Sequence, residues 1–231
     1  MTPLRNAGRC TPGNALHTVD TYLCRISVRS VAACKELVSG DETARAAQFI
    51  RQVDRDRSIV AHGIKRWVLS RLTDTPAGDL RFDTLSGGKP ILATTSGLHF
   101  NLSHSGDWAA LAISRGAPVG VDVELPSAID LRPIHPSVLN GAELASLQQA
   151  AEPASMFITF WTQKEAALKT SGHGLTIDLK DVHCTGSFGT TTATCRGRWF
   201  HVISQPWHEG TLSVASERAI DNYHVVELNN W

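Results

Sequence analysis

An α+β fold is predicted for this 231-residue chain on three observations. A basic segment between residues 43 and 73 repeats its apolar side chains at helical spacing, the stretch from Trp108 to Glu124 has the texture of strands, and the last fifty residues read as further strands between turn residues. Pattern alone reaches the class and no further.

In chain order, Phe49, Ile50 and Val53, then Val60, Ile64, Trp67, Val68 and Leu72, recur at three- and four-residue steps, the mark of amphipathic helix. Two helices are expected to meet near Asp54. Gly87, Gly88, Pro90 and Gly97 then punctuate a loop-rich stretch. From His99 the texture changes. Trp108–Ser114 and Val119–Glu124 read as two strands joined as a hairpin by Arg115-Gly116-Ala117-Pro118, so helix is expected to precede sheet. Pro126, Pro133 and Pro136 break the chain, and Met156–Thr170 resumes a helical period that Gly172 and Gly174 end. Strands are expected at Thr191–Cys195, Trp199–Ile203, Thr211–Ala215 and Tyr223–Leu228. The last two of these weakly echo the earlier pair, which suggests two similar lobes divided near residue 116.

Composition narrows the function classes. Twenty-two Lys and Arg balance twenty-two Asp and Glu, so no whole-molecule field draws the chain to nucleic acid or an anionic membrane. The longest apolar run, Trp108–Ile113, has six residues against the roughly 20 that span a bilayer. Met1–Asp20 lacks an apolar signal core, so a cytoplasmic location is expected. Five cysteines (Cys10, Cys24, Cys34, Cys184, Cys195) are widely spaced with no CxxC pair, which favours free thiols over disulfides or zinc. Trp199, Trp207 and Trp231 read as core or lobe-packing residues.

Charge is nonetheless local. Residues 43–73 carry Arg45, Arg51, Arg55, Arg57, Lys65, Arg66 and Arg71 against Asp54 and Asp56, whereas 118–152 hold Asp122, Glu124, Asp130, Glu143 and Glu152 against Arg132. The first suits an anion and the second a metal. Thr84–Pro90 is no phosphate loop, because Asp83 stands at its first glycine and Pro90 at its hydroxyl. Ser103-His104 lacks the glycines of a nucleophile elbow. In Val119-Gly120-Val121-Asp122-Val123-Glu124, alternation turns the valines to one face and both carboxylates to the other. That is either a pair of converging acids or the solvated face of an edge strand. In Phe160–Lys169 a helical projection sets Glu165 and Lys169 one turn apart beside an apolar stripe, either reaching into a cleft or forming an ordinary surface pair.

Taken together, Gly88-Lys89-Pro90, Phe100-Asn101-Leu102-Ser103-His104-Ser105, Gly120-Val121-Asp122-Val123-Glu124 and Trp161-Thr162-Gln163-Lys164-Glu165-Ala166-Ala167-Leu168-Lys169 closely resemble the 4′-phosphopantetheinyl transferases of the surfactin-synthetase-activating type. All four occur in the family's order, with Phe49, Asp54 and Arg57 similar to its upstream helical signature, and the resemblance spans residues 41 to 180. It implies two similar α+β lobes, 1–116 and 117–231, with the site in the cleft between them. It implies transfer of the phosphopantetheine arm of coenzyme A to a serine of an apo acyl or peptidyl carrier protein, with Mg2+ required and 3′,5′-adenosine diphosphate released. On that resemblance Asp122, Glu124 and Glu165 would ligate the metal. Lys169 would neutralise the departing diphosphate, and Ser103 and His104 would donate to the pyrophosphate. Lys89 and Pro90 would line the adenine end, with Arg45, Arg57 and Ser58 near the 3′-phosphate. Glu165 is the candidate general base.

Two residues depart from the family pattern. Glu42 stands where relatives often carry a cation, which implies a weaker 3′-phosphate pocket, and His173 replaces a usual lysine, which implies added pH sensitivity. A magnesium nuclease would need a lysine two residues after its second acid, but Leu125 and Pro126 follow Glu124. A catalytically degenerate homologue that only binds coenzyme A or a carrier protein is the other reading. A monomer is expected from the pseudo-repeat.

Overall fold

The computed structural model describes residues 16–94, 96–126, 130–172 and 177–229, and its first element is a strand. β1 (Thr18–Arg25) precedes α1 (Val28–Lys35), α2 (Gly40–Ala47) and α3 (Gln52–Thr73). Sheet therefore comes before helix in the chain, contrary to the expected order. The helix junction also moves. Arg51 caps α3 in an extended conformation, and the linking Phe49 and Ile50 are 46% and 94% exposed, so they do not belong to the buried stripe that begins at Ile59. Asp54 instead lies in the first turn of α3, where the helix dipole favours a carboxylate.

After α3 come β2 (Phe82–Thr84), β3 (Pro90–Leu92), β4 (Leu98–Ser105), β5 (Trp108–Arg115) and β6 (Val119–Glu124). The stretch expected as loop thus holds a small β2–β3 hairpin. Then follow α4 (His135–Val138), α5 (Gly141–Gln148) and α6 (Pro153–Ser171), and β7 (Val182–His183), β8 (Gly189–Cys195), β9 (Arg198–Trp207), β10 (Gly210–Ser216) and β11 (Asn222–Glu227). The four strands expected in the tail are present. Two main sheets result, ordered β11-β1-β5-β4 and β6-β10-β9-β8-β7.

β5 and β6 are not a hairpin. Trp108 to Ser114 are buried without alternation, so β5 is a central strand, and β1 and β4 occupy both of its edges. The chain turns through Gly116, at φ +80°, and enters the other sheet, where β6 pairs with β10. Val119, Val121 and Val123 then pack in the layer between sheets, against Val19, Leu23, Ala110, Ala112, Leu212 and Val214.

The two halves repeat one design. β1-β5-β4 and β6-β10-β9 share the same order and antiparallel pairing, each with one long helix, α3 or α6. The short helix before each long one begins with a capping box, Ser39 with Glu42 and Asn140 with Glu143. Each of those glutamates then grips a buried lysine of the long helix at 2.6 Å, Glu42 to Lys65 and Glu143 to Lys164, and Glu42 adds Arg66 at 2.6 Å. Glu42 is therefore a buried structural anchor. The repeat is broken by β11, which crosses back to pair in parallel with β1.

Cys24, Cys34, Cys184 and Cys195 are free thiols, and burial pushes the first three up to about 12. Cys10 and Trp231 lie outside the described residues. Trp207 packs edge-on to Trp108, but Trp199 is 65% exposed, which corrects its reading as a core residue: it sits on the outer face of β9, across from Thr194 of β8. Among the described residues no helix is long and apolar enough to cross a membrane.

Replacing Glu143 with alanine strands the fully buried Lys164 ammonium, and a loss of about 3–5 kcal/mol in urea unfolding is expected. In the other half, burial alone would raise the Glu42 carboxyl, but the His62 hydrogen bond and the Lys65 cation outweigh it and hold the group below the ordinary carboxylate range. A depressed acid stabilises above its unfolded value of about 4.3 and loses that contribution as pH falls. Unfolding stability should therefore fall less steeply on acidification below that value in Glu42→Gln than in wild type.

Candidate active site

Gly120 determines how α6 meets the second sheet. A Cβ there would lie 2.0 Å from the Ala166 carbonyl oxygen and 2.6 Å from the Thr170 nitrogen, so only glycine lets the helix backbone rest directly on β6. Polar pairs fix the helix in rotation. Thr162 Oγ1 meets Ser213 Oγ at 2.8 Å, Gln163 Nε2 donates to the Ser187 carbonyl at 2.8 Å and Ser204 Oγ at 3.1 Å, and Lys164 is held by Glu143. Three residues of the stretch 161–169 are thus anchors. With them committed to the sheet, Glu165 and Lys169 are left half-buried on the cleft side.

From the other lobe, β4 meets the free edge of β6 through side chains instead of backbone. Asn101 Oδ1 accepts from Val121 N at 2.9 Å, Ser103 Oγ from Val123 N at 3.4 Å, and Ser105 Oγ from Leu125 N at 3.1 Å. The two hydroxyls also donate onward, Ser103 to Asp122 Oδ1 and Ser105 to Glu124 Oε2, each at 2.7 Å. The alternating Asn101, Ser103 and Ser105 therefore stitch the sheets together and orient both acids.

Asp122 is 2% exposed, which excludes the solvated-edge reading of this strand. Its Oδ1 also takes the Lys169 ammonium at 2.6 Å, while Oδ2 is buried with no hydrogen-bond partner among the described residues. Burial and the Asp122 charge push the Glu124 carboxyl up to about 7, with Glu165 adding to the rise and Ser105 opposing it. Glu165 is likewise raised by burial and by Asp122. Burial would lower Lys169, but Asp122, Glu165 and Glu124 raise it. Three carboxylates thus crowd around one lysine. Among the described residues no group of three or more histidine, cysteine and acidic side chains is placed so that it could hold a metal ion as it stands. The orphaned Oδ2 and the excess of acid over base nevertheless fit an added cation, and a donor set of carboxylate oxygens suits a hard one such as Mg2+.

His104 points to the opposite side of β4 from Ser103, and partial desolvation with the Arg57 and Lys169 cations holds its imidazole below the usual range. Arg57 donates to Asp54 and to the Gly106 carbonyl, both at 2.9 Å, which braces α3 against the β4–β5 turn. Ser58, next on α3, is half-buried. Arg45 is exposed on α2 and reaches the Asp41 carbonyl of its own helix. Lys89 spends its ammonium on three backbone carbonyls, beside Pro90 at the start of β3. The structure gathers Asp122, Glu124, Glu165, Lys169 and Ser103; His104 lies on the other face of β4 with Arg57 near it, Lys89 reaches the backbone of Lys169 and not the acids, and Arg45 makes its contact elsewhere. His173 lies outside the described residues. Sequence reasoning missed Asn101 and Ser105 as organisers, although their two-residue spacing around Ser103 was a readable signal.

Residues 118–225 match the model of the 4′-phosphopantetheinyl transferase superfamily, and residues 27–116 match that of 4′-phosphopantetheinyl transferase, N-terminal. The chain is 32% identical over 153 residues to the 4′-phosphopantetheinyl transferase psf-1 of Bacillus pumilus, covering 65% of each chain. It is 30% identical over 144 residues to the transferase Sfp of Bacillus subtilis, covering 62% of this chain and 63% of that one. To the transferase HetI of a Nostoc strain it is 35% identical over 144 residues, covering 60% and 61%. The matched span is thus under two thirds of the length of each of these relatives.

Because the Ser105 hydroxyl draws the Glu124 carboxyl down, Ser105→Ala should move its titration above the wild-type value of about 7. Carboxyl-carbon NMR of the metal-free protein reads this directly, and an unmoved titration would count against the assigned bond.

Proposed function

The chain belongs to the 4′-phosphopantetheinyl transferase superfamily, and from that premise we propose that it transfers the 4′-phosphopantetheine arm of coenzyme A to a serine hydroxyl of an apo acyl or peptidyl carrier protein. The observation that carries the proposal is the meeting of the buried Asp122 with the half-buried Glu124, Glu165 and Lys169 at the junction of β4, β6 and α6. Such a site suits a reaction in which a polyanion must be held and its leaving group neutralised.

Asp122, Glu124 and Glu165 would hold Mg2+, which when bound supplies positive charge to the pyrophosphate of coenzyme A. The rest falls to the chain's own groups. The serine oxygen forms its bond to the β-phosphorus, the bond from that phosphorus to the bridging oxygen breaks, and 3′,5′-adenosine diphosphate leaves. Glu165 takes the serine proton, directly or through a water. Lys169 neutralises charge on the departing diphosphate, in a half-buried setting where a cation acts more strongly than in water. Ser103 and Ser105 keep the acids oriented, and His104 with Arg57 offers nitrogen donors on the coenzyme side. In this reading the lobe 1–116 supplies the adenosine and phosphate contacts, with Arg45, Ser58 and Pro90 at its rim, and 117–231 supplies the acids. The protein acts as a cytoplasmic monomer.

Incubation with coenzyme A, Mg2+ and an apo carrier protein should add the mass of phosphopantetheine to one carrier serine. Chelation with EDTA should abolish the transfer and added Mg2+ restore it. Asp122→Asn should lower kcat by a factor on the order of 10²–10³, and coenzyme A binding without any mass gain would instead indicate a binding homologue.

A further inference from the structure

We infer that Lys89 is a positioning residue of this site: its ammonium clamps the carboxyl-terminal end of α6 to the start of β6 and so sets where Lys169 presents its side chain to Asp122. The inference rests on the transfer reading above for its activity readout but not for its geometry. Lys89 Nζ donates to the carbonyls of Lys169 at 2.7 Å, Val119 at 2.8 Å and Thr170 at 3.2 Å. An ammonium has three protons, and here all three are directed at main-chain oxygens.

Two of those oxygens belong to the last turn of α6, where carbonyls have no partner within the helix and the dipole attracts a cation. The third opens β6, the strand that carries Asp122 and Glu124. One side chain therefore joins the two elements whose relative position brings Lys169 Nζ within 2.6 Å of Asp122 Oδ1. Lys169 is gripped at both ends, its carbonyl by Lys89 and its amine by Asp122.

The clamp is itself built rigidly. Lys89 sits in the tight turn between β2 and β3, closed by hydrogen bonds from Leu85 N to the Lys89 carbonyl at 2.9 Å and from Gly88 N to the Leu85 carbonyl at 2.8 Å. Gly88 turns at φ +86°, and Pro90 fixes the exit. The lysine stem packs on Gly172, where α6 reverses at φ +71°: a Cβ there would lie 3.6 Å from Lys89 Cδ and 3.3 Å from Leu85 Cδ1. Burial draws the Lys89 ammonium down to about 8, with Glu217 opposing the fall, as befits a cation facing dipoles more than a paired carboxylate. A ligand phosphate could recruit this amine only by breaking the three bonds.

Lys89→Met and Lys89→Arg test the inference in the full chain. Lys89→Met should lower kcat at least tenfold while the KM for coenzyme A changes less than twofold, and Lys89→Arg should recover most of kcat. Hydrogen exchange in the peptide covering 165–172, read without substrates, should accelerate in Lys89→Met and not in Lys89→Arg. A raised KM for coenzyme A at unchanged kcat would make Lys89 a ligand contact and overturn the inference, as would unchanged exchange. If Lys89→Met does not fold, Lys89→Gln, also uncharged, is held to the same outcomes. Failure of the wild type to transfer would defeat the functional reading and leave the exchange test of the clamp standing.

Discussion

The contact of α6 on β6 at Gly120 is the constraint from which the site follows. A helix backbone can approach a strand this closely only where the strand has no side chain, and the approach brings Lys169 onto a carboxylate that is 2% exposed. An acid so buried is costly unless paired, and among the described residues Asp122 finds partners on one oxygen only. The rise in Glu124 and Glu165 follows first from burial and then from the Asp122 charge beside them. The site therefore combines a structural demand for positive charge with a supply, Lys169, that meets part of it.

The duplicated design explains why, among the described residues, such a cleft is found in one half and not in the other. Asp122 and Glu124 stand opposite the fourth and second residues of β10, and the matching positions of β5 face Tyr22 and Cys24 of β1. Those two residues are buried in the apolar core under α3. Likewise, if Lys65 and Lys164 are superposed through their capping glutamates, Glu165 and Lys169 fall on Arg66 and Ser70, and Arg66 is consumed by Glu42. β11 then covers the edge of β1 that corresponds to the edge of β6 engaged by β4. One half kept a core where the other kept chemistry.

Much of the site was legible in the sequence, because alternation in 119–124 and helical spacing in 161–169 are local patterns that fix which side chains share a face. What lay beyond reach depends on distant pairing. Nothing between Trp108 and Glu124 says that β5 has both edges filled, so a hairpin was the natural local reading. Glu42 was read as a departure from a ligand pocket because its partners, Lys65 and Arg66, lie more than twenty residues away. The repeated Ser39–Glu42 and Asn140–Glu143 spacing, each followed by a buried lysine, was the signal that would have found it. Thr162 and Gln163 gave no such warning, since polar residues on a helix are ordinarily solvated and these meet sheet hydroxyls 51 and 41 residues later.

The parallel pairing of β1 with β11 bears on how the molecule is made. Thr18 lies beside Asn222, and the preceding His17 is bound to Asp221 and to the Ala219 carbonyl, so this sheet gains its outer strand only after the 204 positions that separate His17 from Asp221 have been synthesised. Until then β1 offers an unpaired edge to any passing extended segment. While the residues between β1 and β11 are being made the edge of β1 is thus unprotected, and misassociation is favoured until β11 arrives.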